Sequence, residues 1–123
     1  MISLGTDILE IARVEEVMGR LGERFARRIL AEAEWEEYCA SRAPTRLLAK
    51  RFAAKEAIAK ALGTGIGRGV SWQDMQIDHD EHGAPLVRLS GGALEVARAR
   101  GASRVLLSLA DERHYVVAFA ALG

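Results

Sequence analysis

The sequence predicts an α+β fold. Three observations carry that reading: helix-period segments fill the first half of the chain, paired strand-like segments bracketing turn residues fill most of the second, and one short strand stands ahead of the helices. At 123 residues the chain is the size of one domain, and residues 1–123 are read as one, with no internal repeat and no linker-like stretch. Half the residues are hydrophobic, 28% are charged and only two are proline, which excludes a disordered, collagenous or low-complexity chain. Seventeen basic side chains balance seventeen acidic ones. Bulk charge therefore argues for neither nucleic acid nor an anionic membrane, and any electrostatic partner has to be sought in local patches.

The elements follow in order. Residues 2–8, ISLGTDI, read as a short strand interrupted by Gly5. From Glu10 to about Tyr38 the pattern is helical, with Gly19 and Gly22 expected to break it into two pieces. Ala43-Pro44-Thr45 marks a boundary, with Thr45 as the expected N-cap of a helix over 46–62 that runs straight into GTGIGRG. Residues 72–79 and 85–90 flank the turn 80–84, and 104–110 and 115–121 flank Asp111-Glu112-Arg113-His114, giving two hairpins. A short helix over about 91–100 lies between them and ends at Gly101, a residue suited to C′. The last strand is apolar at nearly every position, so it needs cover on both faces. Its own helices or a second subunit could supply that cover.

Cys39 is alone, which excludes an intrachain disulfide and a cysteine metal site. Asp7, Glu10, Glu15 and Glu16 interrupt the first twenty residues, so no signal peptide is expected there, and no segment approaches the ~20 apolar residues of a membrane span. A cytoplasmic protein is the expectation.

Four groups of residues are candidates for chemistry. Arg13, Arg20, Arg24, Arg27 and Arg28 fall within roughly 100° of one another if the segment is one continuous helix, beside an apolar face of Val14, Met18, Leu21, Phe25 and Ile29. The stripe is either an ordinary solvated face or a docking surface for an acidic partner, since adjacent arginines repel unless an anion joins them. In RFAAKEAIAKA, Arg51 and Lys55 are like charges at i,i+4, Glu56 follows and Lys60 lies one turn on, with small alanines between them and glycines beyond. One carboxylate, several cations and a Gly-rich loop make a kit for a metal-bound phosphate ligand, and equally a salt-bridged surface helix with a flexible exit. The loop is not a P-loop, because it follows its helix and lacks the Gly-Lys-Ser/Thr ending. Asp7 is either a turn residue or the partner carboxylate of Glu56, a pair suited to Mg²⁺. His79, His82 and His114 lie in or beside turns and read as exposed.

Nearly the whole chain resembles the holo-acyl-carrier-protein synthases, the short bacterial class of 4′-phosphopantetheinyl transferases. The likeness rests on Gly5-Thr6-Asp7-Ile8 with Glu10, Ile11 and Arg13, on Arg51-Phe52-Ala53-Ala54-Lys55-Glu56-Ala57 with Lys60-Ala61, and on Gly63-Thr64-Gly65-Ile66-Gly67. Gly83-Ala84-Pro85 and the segment Ser108 to Tyr115 add to it. The resemblance implies a 4′-phosphopantetheinyl transferase-like fold, helices packed on an antiparallel sheet, assembled as a homotrimer with active sites between subunits. It implies Mg-dependent transfer of the phosphopantetheine arm of coenzyme A to a serine of apo acyl carrier protein, in fatty-acid synthesis, with release of adenosine 3′,5′-bisphosphate. Asp7 and Glu56 match the metal ligands, and Lys60 matches a lysine at the pyrophosphate. Glu56 is the expected base, acting directly or through a water. Arg51 and Lys55 would face substrate phosphates, Gly63, Thr64 and Gly65 would admit the nucleotide, and Pro85 would pack by the adenine.

Arg13 matches a family position in carrier-protein docking, while Arg20, Arg24 and Arg27 join it on helix geometry. One motif departs from the family. Where the family commonly has Ser, aliphatic, Ser or Thr, then His or Asp, this chain reads Ser108-Leu109-Ala110-Asp111. Asp111 falls where a family histidine lies near the 3′-phosphate of coenzyme A and cannot itself be a cation there, so Arg113 or His114 is expected to substitute. The rival readings are a non-catalytic coenzyme A or nucleotide module, an adaptor for acidic partners, and a transferase of broader carrier range.

Overall fold

The computed structural model describes residues 3–123; Ile2, the first apolar residue assigned to the opening strand, lies outside them. Strand β1 (Ser3–Glu10) leads into three helices, α1 (Ile11–Leu21), α2 (Glu23–Ile29) and α3 (Glu32–Ala40), and then the long α4 (Pro44–Leu62). A 3-10 turn (Trp72–Asp74), β2 (Met75–His79) and β3 (Pro85–Leu89) follow, then α5 (Gly91–Ala99), β4 (Val105–Asp111) and β5 (Tyr115–Leu122). The antiparallel order β1-β5-β4 makes the last strand central, and β2 and β3 form a separate hairpin.

The helical stretch breaks twice, in places only half anticipated. Gly22 takes φ +59°, closed to most L side chains, whereas Gly19 sits inside α1 without interrupting it. The second break, at Leu30 and Ala31, has no glycine or proline. Both residues are extended, and Glu34, three positions on, takes a 2.7 Å bond from the Ala31 amide, half of a capping box. Helix α4 begins at Pro44 with Ala43 at the N-cap. Proline's fixed φ and missing N–H suit the first helical position, and this moves Thr45 into the first turn. Residues 72–74 coil before the β2 strand starts at Met75.

Helix α4 crosses the inner face of the three-stranded sheet and supplies much of the core: Leu48, Ala49, Ala53, Ala54, Ala57, Ile58, Ala61 and Leu62 are buried. Alternation along β1 turns Ser3, Gly5, Asp7 and Leu9 inward, and Leu4, Thr6, Ile8 and Glu10 outward. Gly5 is the point of closest approach. A Cβ built there would overlap the Ala57 carbonyl oxygen and lie 2.6 Å from the Ala61 amide nitrogen, so strand and helix meet backbone to backbone. Beside it, Ser3 Oγ donates to the Ala61 carbonyl at 2.6 Å.

The apolar β5 strand is covered on one face by this chain: Val116, Ala118, Ala120 and Leu122 are buried, whereas Tyr115, Val117 and Phe119 are exposed. Leu4 and Ile8 of β1 and Leu106 of β4 are exposed as well.

The β4–β5 turn is tied back to α4 by Arg46. Its Nη1 donates to Asp111 Oδ2 at 2.9 Å and to the Glu112 carbonyl at 2.8 Å, and Nη2 donates to the Arg113 carbonyl at 3.1 Å. Lys50 Nζ lies 3.3 Å from Asp111 Oδ1. Burial alone would raise the Asp111 carboxyl; bonds from Arg46 and Lys50, with their charges, more than offset it and hold the group below the usual aspartate value.

Two outcomes are expected. Gly5→Ala should cost about 1–3 kcal/mol in urea unfolding, because the methyl group must push β1 off α4. Asp111→Asn should cost about 0.2–1 kcal/mol at neutral pH. Because the folded-state pKa is depressed, that stability is present above the unfolded aspartate value and lost as pH falls through the folded one. Melting curves of wild type and variant should therefore converge in acid.

Candidate active site

Asp7, Glu56 and Lys60 come together where β1 passes α4. Asp7 faces inward two residues after Gly5, and Glu56 and Lys60 stand one helical turn apart on α4. Lys60 Nζ donates to the Thr6 carbonyl at 3.0 Å and to Asp7 Oδ1 at 3.2 Å. Its side chain is 51% exposed and that of Asp7 only 16%, so the ammonium stands over a carboxylate sunk at the strand surface. Burial raises the Glu56 pKa, the Asp7 charge raises it further, and Lys60 opposes both. A carboxylate whose charge is disfavoured by a second one beside it makes with it a donor set that a divalent cation would stabilise. Among the described residues no group of three or more His, Cys, Asp and Glu is placed to hold a metal, so this protein would supply two oxygen ligands and leave the others to solvent or ligand.

Gly63 ends α4 in the left-handed region at φ +86°, and Gly65 is at φ +65°. Their amides, and that of Thr64, bond the last carbonyls of the helix, and Thr64 Oγ1 donates to the Gly65 carbonyl at 2.7 Å. Arg100, missed in the sequence, donates to the Ala61 and Leu62 carbonyls at 3.1 and 2.8 Å and so caps the same end. Pro85 is half-buried at the start of β3, opposite His79.

Arg51 and Lys55 are not where the resemblance led us to expect them. Both are buried, and the anion that relieves their repulsion is Glu34 of the same chain: Lys55 Nζ donates to Glu34 Oε1 at 2.6 Å, and Arg51 Nε lies 3.3 Å from Glu34 Oε2. Burial lowers the Lys55 pKa, against the pull of Glu34 and with the Arg51 charge. Asp111 likewise presents no open carboxylate, being held by Arg46 and Lys50. Those two, rather than Arg113 or His114, are the cations beside it. With Glu37, Ser41, Arg51 and His79 they line a cleft of about 260 Å³. A larger cleft of about 840 Å³, lined by Arg27, Trp35 and Gln73 among others, contains none of Asp7, Glu56 and Lys60.

The arginine stripe is divided by the break at Gly22. Arg13 and Arg20 lie on α1, and Arg24, Arg27 and Arg28 on α2, all exposed. Arg27 also stacks over the Trp35 ring at 4.0 Å. His79, His82 and His114 are exposed, as their turn positions predict.

Residues 3–120 match the family described as ACPS, 4′-phosphopantetheinyl transferase superfamily. A holo-[acyl-carrier-protein] synthase of Shewanella amazonensis is 57% identical over 122 residues, covering 99% of this chain and 98% of that one. The enzyme of the same name from Shewanella frigidimarina is 56% identical over 118 residues, covering 96% and 94%. The crystal structure of holo-[acyl-carrier-protein] synthase from Neisseria meningitidis superposes with a TM-score of 0.94 at 41% identity, over 100% of this chain and 99% of that one. The Helicobacter pylori synthase in complex with coenzyme A gives 0.83 at 30% identity, over 98% and 99%. With the fold, the Asp7–Glu56–Lys60 constellation and near-full-length likeness in agreement, the chain belongs to the 4′-phosphopantetheinyl transferase superfamily.

Proposed function

We propose that this chain is a cytoplasmic enzyme of fatty-acid synthesis, moving the 4′-phosphopantetheine arm of coenzyme A onto a serine hydroxyl of apo acyl carrier protein and releasing adenosine 3′,5′-bisphosphate. The observation that carries the reading is the meeting of Asp7, Glu56 and Lys60 at the β1–α4 contact, in a chain whose relatives bear the name holo-[acyl-carrier-protein] synthase. Among the described residues no helix is long and apolar enough to cross a membrane.

Asp7 and Glu56 would hold Mg²⁺, which takes one or two carboxylates and completes its shell with water and phosphate oxygens. The bound ion would neutralise charge on the phosphoryl group under attack. The serine oxygen forms a bond to the phosphorus that carries the pantetheine arm, and the bond from that phosphorus to the bridging oxygen of the pyrophosphate breaks. Adenosine 3′,5′-bisphosphate leaves with the electron pair. Glu56, directly or through a water, would take the serine proton. Lys60, half-exposed with its ammonium beside Thr6 and Asp7, would turn toward the departing bisphosphate.

The backbone at Gly63, Thr64 and Gly65 and the half-buried ring of Pro85 would receive the nucleotide. Since Arg51 and Lys55 are engaged inside, we assign the 3′-phosphate to Arg46 and Lys50, gathered by Asp111 in their cleft. Exposed Arg13, Arg20, Arg24 and Arg27 would steer an acidic carrier protein toward the site. The uncovered apolar face of Leu4, Ile8, Leu106, Tyr115, Val117 and Phe119 supports assembly with further copies of the chain, as the homotrimer.

Apo carrier protein incubated with this protein, coenzyme A and Mg²⁺ should gain about 340 Da by intact mass, the phosphopantetheine increment, and should gain nothing with EDTA. Asp7→Ala and Glu56→Ala should fold and lose the transfer; a full shift from either would remove the metal assignment. Sedimentation should give three times the 13.4 kDa chain mass, and Phe119→Asp should sediment as a monomer.

A further inference from the structure

The interior holds a charge cluster that takes no part in the proposed reaction. Glu34, Arg51 and Lys55 are 3%, 2% and 0% exposed. Glu34 Oε1 accepts from Lys55 Nζ at 2.6 Å and from the Ala31 amide at 2.7 Å, while Oε2 accepts from the Ile77 amide at 3.1 Å and faces Arg51 Nε at 3.3 Å. Lys55 Nζ also donates to the Ile29 carbonyl at 2.7 Å, and Arg51 Nη2 reaches Glu37 at 2.9 Å. The Glu34–Lys55 pair thus joins the end of α2, the start of α3, the middle of α4 and strand β2. Buried ion clusters of this kind are weak contributors to stability compared with apolar packing of the same volume, so stability alone is a poor reason for this one.

We propose that Glu34 is a positioning residue for the Asp7–Glu56 pair: it fixes the roll of α4 about its own axis and so where Glu56 stands relative to Asp7. This rests on the metal reading above. At about 100° per residue, Glu56 and Lys60 lie roughly 100° and 140° round the helix from Lys55, and Ala57 and Ala61 roughly 200° and 240°. Ala57 and Ala61 are the residues whose backbone Gly5 meets, so α4 is gripped on two sides with Glu56 and Lys60 between them. The Gly5 contact is backbone and the Lys60 Cβ packed without a hydrogen bond, and the bonds from β1 to α4 beside it run through the Ser3 hydroxyl and the half-exposed Lys60 ammonium. The Glu34 grip is directional, because charge-assisted bonds weaken steeply with misalignment. Lys55 immediately precedes Glu56, so any roll that draws the ammonium off Glu34 turns Glu56 by the same angle.

The test is direct Mn²⁺ binding by electron paramagnetic resonance, with kcat and KM measured alongside, on the full chain of wild type, Glu34→Gln and Lys55→Met below their melting temperatures. Glu34→Gln keeps the shape and removes the charge; Lys55→Met keeps Glu34 and removes its closest partner, and decides the question if the first variant does not fold. Each folded variant should bind Mn²⁺ about 10-fold or more weakly, the usual scale for residues that orient ligands. Each should also lose kcat by a larger factor than it raises KM for the carrier protein, because Arg13 and Arg20 stand on α1, outside the cluster. A folded variant with wild-type Mn²⁺ affinity and kcat overturns the proposal and leaves Glu34 a structural ion pair. Failure of the wild type itself to bind Mn²⁺ would overturn the metal reading, and this inference with it.

Discussion

The backbone contact between β1 and α4 at Gly5 is the constraint on which the rest of the molecule depends. Strand periodicity puts Ser3, Gly5 and Asp7 on one face, and the absent side chain at the middle position lets the outer two reach the helix. Ser3 then bonds the Ala61 carbonyl, and Asp7 meets Lys60. The small residues Ala57 and Ala61 are the complement on the helix side. A larger side chain at either surface would lift the strand, and the carboxylate would move with it. Sequence, packing and chemistry are joined here at one missing Cβ.

The cations of α4 show a second regularity. Arg46 and Lys50 are spaced i,i+4, as are Arg51 and Lys55, and like charges at that spacing repel. Each pair is bridged by one acid from a distant segment: Asp111 from the end of β4 at the solvent edge, and Glu34 from α3 in the interior. The two acids sort four cations into two tasks. The inner pair locks helices together, whereas the outer pair, each side chain about a third exposed, stands where an anion can reach it.

Local rules made much of this legible. Alternation and turn residues located the hairpins, and the i,i+4 spacing joined Glu56 to Lys60, whereas Asp7, 49 residues before Glu56, was matched to them through the family resemblance. What escaped notice depends on partners far along the chain. Lys55 finds Glu34 at a separation of 21 residues and Arg46 finds Asp111 at 65, and no periodicity encodes such pairings. An arginine and a lysine on a helix read as surface charges awaiting phosphate until packing shows a carboxylate already beside them. The break at Leu30 and Ala31 was hidden for a related reason. Its cause is the Glu34 side chain turning back to an amide, and its sequence signature, a glutamate at N3, lacks the hydroxyl residue that normally announces a capping box.

In the assembly proposed above, the outward face of the sheet would couple folding to abundance. Leu4, Ile8, Leu106, Tyr115, Val117 and Phe119 stay in water as long as the chain is alone. When copies cover one another, the hydrophobic gain of burying that face is added only to the assembled state, so apparent stability rises with the logarithm of protein concentration. A dilute subunit is then both less stable and stickier than a concentrated one. In the proposed assembly, newly made chains would be at greatest risk of aggregation before finding their neighbours, because the strands that would seal it are the same strands that form that exposed surface.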